Sequence, residues 1–300
     1  MLLAAALLWG SAYVFIRMAL GGFSPVAIVF LRCVLAGGIL LTVVLVRGGK
    51  MRAALGDVRR RPWHALLLGA CAIAAPFLLI AFGQRQIPSG LTGVLIASVP
   101  IFTALLAFRL DASERVGPRR AAGLAVALLG VAFVVGVESV SSIAQFLAAL
   151  MILGAATLFA LAGFIVKRFY SDIPPATRAF FTVSVSAVLT AIPAAATWPT
   201  AMPPTSALVA LLILGCGSTA FGQLAYFTLI DEIGAGRASL ATYLGPGVSL
   251  VLGAILLGEA ITPGALIGLA LILGGVVLAS RPERRPASLP ASPAAVGSRE

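Results

Sequence analysis

Residues 84–114 read QRQIPSGLTGVLIASVPIFTALLAFRLDASE, and residues 230–259 read IDEIGAGRASLATYLGPGVSLVLGAILLGE. Ile87, Gly90 and Pro100 of the first stretch align with Ile233, Gly236 and Pro246 of the second at a constant offset of 146 residues. Glu114 and Glu259 close the two stretches with a one-residue slip. Each stretch holds about twenty apolar residues, the length a helix needs to cross a hydrocarbon core of about 30 Å. Each also carries a proline near the middle. The chain therefore contains a domain-sized repeat built around a membrane-length helix with a proline at mid-depth.

Working outward, the whole chain has the same character. Of its 300 residues, 60% are hydrophobic and only 10% are charged, a composition foreign to soluble globular domains. Hydropathy predicts ten spans: 2–20, 25–46, 64–83, 88–108, 117–137, 143–166, 176–197, 206–230, 236–257 and 262–280. The first carries Trp9, Tyr13 and Arg17 and lacks a basic leader, so it reads as a mature helix rather than a signal peptide. It begins almost inside the membrane, which leaves room for a few residues before Met1.

The net charge of +11 does not point to nucleic acid, because its placement follows the membrane. Eighteen of the 21 Lys and Arg residues fall in the 2–3, 4–5, 6–7 and 8–9 connections and the tail, with Arg178 counted in the 6–7 connection. Arg17, Arg32 and Arg85 make up the other side. The positive-inside rule puts the first group, and both termini, in the cytoplasm. Five spans per copy is an odd number, so the second copy enters the membrane upside down. The expected fold is an all-α integral membrane protein: ten transmembrane helices in two inverted five-helix repeats, 1–136 and 143–280, with a disordered Pro/Ala/Ser-rich tail at 281–300. Further landmarks pair across the copies: Gly69 with Gly215, Gly123 with Gly268, Gly130 with Gly275, Pro25 with Pro175, and Arg17 with Lys167.

This pattern resembles the EamA-type permeases of the drug/metabolite transporter superfamily. The residues that carry the resemblance are LLWGSAYVFIRMAL (7–20), SPVAIVFLRCVLAG (24–37), the helix–Pro–helix–Glu modules Gly90–Glu114 and Gly236–Glu259, and the glycine-rich closing helices 117–136 and 264–279. It covers residues 1–280. The resemblance implies transport in a bacterial inner membrane, commonly export of amino acids or related small molecules, by alternating access. Thr182 departs from the internal pattern, since the second copy has no equivalent of Arg32.

A proline inside a helix removes a hydrogen bond and clashes with the carbonyl four residues back. Pro100 and Pro246, the latter flanked by Gly245 and Gly247, are thus hinge candidates that free the carbonyls of Ile96 and Thr242. The alternative is a static kink that only shapes packing. Polar side chains at mid-depth must turn inward. Trp9 and Tyr13 share a face of span 1; Thr219, Gln223 and Tyr226 share one in span 8; Ser239, Thr242 and Pro246 share one in span 9 beside Tyr243; Thr92 and Thr103 share one in span 4, and Ser98 precedes Pro100. A lone Ser or Thr is read as an interhelical hydrogen bond. The candidate cargo set is Trp9, Tyr13, Ser98, Gln223, Tyr226, Thr242 and Tyr243. Arg17 and Arg32 lie within spans 1 and 2; each either meets a substrate carboxylate or is held by loop carbonyls and snorkels outward.

The absences narrow the function. All ten acidic residues fall in connections, in the tail or at span ends. A proton-coupled exporter of cationic drugs would want one at mid-depth, so neutral or zwitterionic cargo is expected. Cys33, Cys71 and Cys216 lack metal spacing, and His64 is the only histidine, so no metal or other cofactor is expected. There is no phosphate-binding loop and no nucleophile–base pair. The glycine-rich closing helices read as close packing. The expected partners are a small-molecule substrate and the bilayer, with monomer and homodimer both open. The reading is a non-enzymatic secondary transporter; sugar phosphates or drugs as cargo, and a non-transporting intramembrane enzyme or scaffold, are the alternatives.

Overall fold

In a computed structural model the chain is described for residues 2–46, 62–110, 118–138, 142–170, 173–233 and 240–280, and these are helical with no strand among them. Helix α1 spans Leu2–Ala19, and α2 spans Pro25–Val46. Helix α3 runs from Pro62 to Gly83 through a π-helical stretch, Ala70–Ala74. Helices α4 and α5 are Ser89–Ile96 and Val99–Leu110. Then come α6 (Pro118–Glu138), α7 (Ile143–Phe169) and α8 (Pro175–Ala196). Helix α9 comprises Thr205–Leu212, a second π-helical stretch Ile213–Phe221, and Gly222–Ile233. Helices α10 and α11 are Leu240–Leu257 and Pro263–Ser280.

The helix starts are written in local chemistry. Helices α2, α3, α6, α8 and α11 all begin on proline, whose fixed φ suits the first turn and whose missing N–H has no partner there anyway. Just before α2, α7 and α11, the hydroxyls of Ser24, Ser142 and Thr262 accept hydrogen bonds from the backbone N–H of Ala27, Gln145 and Ala265 at 3.1, 3.2 and 3.1 Å. Among the described residues six helical stretches are long and apolar enough to cross a bilayer: Pro25–Val46, Pro62–Gly83, Ser89–Ala107, Ile143–Phe169, Pro175–Ala196 and Thr205–Ala225. Shorter apolar helices run Ala6–Ala19, Ala121–Gly136, Leu244–Leu257 and Pro263–Ala279.

Packing follows a regular scheme. Helix α2 packs on α8, α6 on α11, and α4 on α10; α1 lies along α10 and α9, while α7 lies along α3 and the α4–α5 pair. Glycine decides the closest approaches. A Cβ on Gly123 would stand 2.6 Å from the carbonyl oxygen of Gly275, and one on Gly275 would stand 2.5 Å from that of Gly123, so α6 and α11 touch backbone to backbone. A Cβ on Gly10 would meet the Gly245 carbonyl oxygen at 2.5 Å. Gly69 faces Val185 and Gly215 faces Leu35.

The two prolines of the repeated module do not behave alike. Pro246 stands inside a continuous helix. Pro100 does not: α4 ends at Ile96, a turn follows at Ala97–Ser98, and Pro100 sits in the first turn of α5. There it is tolerated as at any helix start, so the first module is broken rather than kinked. The expected continuous helix through Pro100 is corrected accordingly, while a hinge there stays a proposal. Arg178 is a second correction. Charge placement puts it with the loop cations, but it occupies the first turn of α8 at 3% exposure, because the helix begins at Pro175 and turns that position inward. Glu114 and the tail, 281–300, lie outside the described residues.

Candidate functional site

One end of the bundle brings together the α1–α2, α3–α4, α8–α9 and α10–α11 connections. The Ser24 and Thr197 hydroxyls share a hydrogen bond of 2.9 Å. Gly22 lies against Pro203 and Pro204. The Arg17 guanidinium donates to the carbonyl of Gln84, which closes α3, so Arg17 follows the loop-carbonyl reading. The Gln84 amide in turn donates to the Tyr13 carbonyl at 3.0 Å.

The most elaborate contact here belongs to Glu259. Gly258 adopts φ +65, the left-handed conformation that ends helices and that glycine takes without strain. The Glu259 N–H then reaches back to the Gly253 carbonyl at 3.1 Å, and the carboxylate folds over α10 toward α4. Its Oε1 accepts from the Ser89 N–H at 2.8 Å, and Oε2 accepts from the Ser89 hydroxyl at 2.8 Å and the Gly90 N–H at 3.0 Å. A carboxylate thus caps the N-terminus of another helix, where the orphan N–H groups and the helix dipole favour negative charge. Gly253 is part of the same device, since a Cβ there would stand 2.6 Å from Oε2.

Behind this closure lie the mid-depth polar residues. The Trp9 indole lies against Gly222, the residue before Gln223; a Cβ on Gly222 would meet its Nε1 at 2.7 Å. Tyr13 is half-buried against the central core, one turn further along α1. Trp9 and Gln223 are half-buried as well. The Trp9 side chain of α1 therefore reaches α9 at Gly222, next to Gln223 in the chain. The side chains of Tyr226, Thr242 and Tyr243 lie outside the described residues. Ser98 is fully buried, and its hydroxyl donates to the Leu95 carbonyl at 2.6 Å; it secures the turn between α4 and α5 instead of facing open space. Thr92 is likewise buried and bonded within its own turn, to the Pro88 carbonyl at 3.0 Å. Of the other hinge candidates, Gly245 is packed on Gly10 while Gly247 faces open space.

Two arginines are buried in the bundle, Arg32 within its expected span and Arg178 against expectation. Arg32 is 3% exposed; its Nε donates to the Thr219 hydroxyl at 2.9 Å, and its guanidinium lies 3.9 Å from the centre of the Phe77 ring. Thr219 in turn donates to the Leu214 carbonyl, five residues back, at 2.7 Å, a spacing the π-helical stretch permits. Arg32 and Thr219 stand 187 residues apart in sequence, so nothing local announces their pairing. Arg178 borders a small pocket with Ala65, Leu68, Tyr170, Ile173 and Phe181. Among the described residues no group of His, Cys, Asp and Glu could hold a metal ion.

The EamA-like transporter family model matches this chain over residues 1–136 and again over residues 146–281. The chain belongs to the EamA-like transporter family. This makes it a multi-pass membrane transporter and not an enzyme. It is 28% identical to a probable terminal-alkyne amino-acid exporter of Streptantibioticus cattleyicolor, with 94% of each chain covered. It is 26% identical to the uncharacterized inner membrane transporter YedA of Escherichia coli K12, covering 92% of this chain and 88% of the other. One solved crystal structure matches at a TM-score of 0.68 and 20% identity, over 92% of this chain and 94% of that one. That likeness speaks for the fold.

Proposed function

We propose that this EamA-family chain is a secondary transporter that exports small neutral or zwitterionic metabolites, amino acids foremost, by alternating access. The observation that carries the reading is the arrangement of Trp9, Tyr13 and Gln223 at mid-bundle behind an end closed by Glu259, Ser89 and Gly90. Polar groups at that depth are tolerated where they face protein or a water-filled path. Trp and Tyr supply apolar bodies with polar tips, and the Gln223 amide both donates and accepts. The amino-acid exporter among the relatives supports this cargo class.

Ten spans in two inverted repeats, 1–136 and 143–280, fit this mechanism. The six long and four shorter apolar helices among the described residues support a count of ten. The π-helical stretches fall in α3 and α9, the third helix of each half, and Gly69–Val185 and Gly215–Leu35 are the same contact at offsets of 146 and 150 residues. Inverted repeats place a binding site between the halves near the midplane, and rocking of one half on the other opens it to each side in turn. The contacts among 17–24, 84–90, 197–204 and 259 gather at the end opposite the Lys/Arg-rich connections, so on this reading the closed end is periplasmic and both termini are cytoplasmic.

The test is export of labelled amino acids from cells producing the protein. Trp9→Ala and Gln223→Ala should each lower the efflux rate by roughly fivefold or more, the worth of about one hydrogen bond or ring contact, at unchanged membrane yield. Wild-type efflux in both variants would move the cargo site elsewhere. Pro246→Ala should lower turnover several-fold at matched protein level, because it restores a helix hydrogen bond and stiffens α10. Pro100→Ala, at a helix start, should leave turnover nearly unchanged. Equal effects of the two substitutions would mean that the break and the kink serve the same role.

A further inference from the structure

Arg32 is used by nothing in the reading above. A buried guanidinium is expensive unless its charge is met. Among the described residues no carboxylate stands against it. Its partners are one hydroxyl and one ring: Nε–H to Thr219 at 2.9 Å, and the Phe77 face at 3.9 Å. Both fix orientation and neither neutralises charge. Nε is the inner edge of the guanidinium fork. Bonding there, with one face on a ring, leaves the outer pair of nitrogens as the presented edge, and that edge matches a carboxylate in two parallel hydrogen bonds.

The surroundings suit a ligand. Thr219 donates its own proton to Leu214, so its oxygen is committed to receiving from Arg32. This locks the guanidinium without supplying a counter-charge. The hydroxyl of Ser218, next to Thr219 in the chain, is wholly buried and has no partner among the described residues. Thr219 lies within the π-helical stretch of α9, and Phe77 follows that of α3 by three residues. Such stretches concentrate at functional sites.

We infer that Arg32 is the anchor for a carboxylate on the cargo, held in register by Thr219 and Phe77. This rests on the transporter reading and sharpens it. The cargo class narrows to α-amino acids, whose zwitterion carries the carboxylate, and amino alcohols, amides and cationic drugs are excluded.

The experiment measures thermal stabilisation of the purified protein by L-leucine, L-phenylalanine, 2-oxoisocaproate and benzoate, with L-leucinol and L-leucinamide as matched compounds lacking the carboxylate. Competition with labelled leucine flux in proteoliposomes is measured in parallel. At least one carboxylate should raise the melting temperature of the wild type while its matched compound does not. Arg32→Lys, which keeps the charge and loses the fork, should weaken the response at least tenfold in concentration. Arg32→Gln should lose it. Equal responses to leucine and leucinol in the wild type would overturn the inference, and so would an unchanged carboxylate preference in Arg32→Lys. The wild-type comparison stands even if Arg32→Gln fails to fold. Stabilisation by benzoate or the oxo acid without amino-acid flux would keep the anchor and remove amino acids as cargo. Flux of leucine and leucinol at equal rates would keep the transporter and remove the anchor.

Discussion

Gly275→Val is expected to cost most of the folded protein. Helices α6 and α11 meet through Gly123 and Gly275, and a Cβ on Gly275 would fall 2.5 Å from the Gly123 carbonyl oxygen and 2.8 Å from the Ala127 Cβ. The obstacle at Gly123 is backbone, so no rotamer change relieves it and the helices must part. Between helices in a bilayer, association rests on such close packing, since lipid is as apolar as leucine. Overpacking costs about 1–3 kcal/mol even where side chains can adjust, and here the upper end or beyond is expected. The adjacent residue provides the control. Nothing lies within 4 Å of a Cβ on Gly274, so Gly274→Ala should be neutral or gain a few tenths of a kcal/mol, up to about 1, from helix propensity. Melting of the detergent-solubilised variants by size-exclusion loss decides it. Similar losses at both positions would show that the seam is not where the helices are held.

Glu259→Ala should shift the conformational equilibrium rather than the fold. The carboxylate accepts three hydrogen bonds from Ser89 and Gly90, and hydrogen bonds to a charged group are worth about 1.5–3 kcal/mol each in net terms when buried. Glu259 is half-buried, so about 2 kcal/mol for the whole contact is a discounted figure. That corresponds to roughly a 30-fold change in the ratio of closed to open forms at this end, which the proposed orientation makes periplasmic. With Gln223→Cys in a cysteine-free background, a membrane-impermeant thiol reagent added from the periplasmic side should react about that much faster when Glu259→Ala is present. Glu259→Gln should have a smaller effect, because its amide oxygen can still accept from Ser89 and Gly90 while its amide nitrogen cannot accept. An unchanged labelling rate would make the contact a static helix cap.

The helix boundaries were legible because hydropathy and proline act locally. The expected 25–46 and the observed Pro25–Val46 coincide, and 64–83 became Pro62–Gly83. Glycine seams were legible as well, since only glycine allows backbone contact, although the partner of Gly123 is Gly275 and not its repeat equivalent Gly268. Trp9 and Gln223 are candidates by helical spacing, each within its own span, and their part in a cargo site is a proposal. What escaped reading depends on contacts between distant segments. The break after Ile96 carries the same proline as the continuous helix at Pro246, so the residue alone does not distinguish them. Neither π-helical stretch has a local signature beyond small residues. The Arg32–Thr219 bond and the Glu259 cap on Ser89 join residues 187 and 170 positions apart. For Glu259 the nearby glycines 253 and 258 were a usable signal, since a left-handed turn after a helix re-aims the residue that follows.

The most direct measurement of the central claim is solute counterflow. Proteoliposomes holding the purified protein are loaded with unlabelled leucine and diluted into trace labelled leucine, with no ion gradient imposed. A carrier working by alternating access returns loaded from the far side, so label should accumulate transiently inside above its outside concentration and then decay. Accumulation should require the protein and fall in Trp9→Ala and Gln223→Ala. Label that rises only to equilibrium, across a full panel of amino acids and at rates that reveal functional protein, would contradict the account.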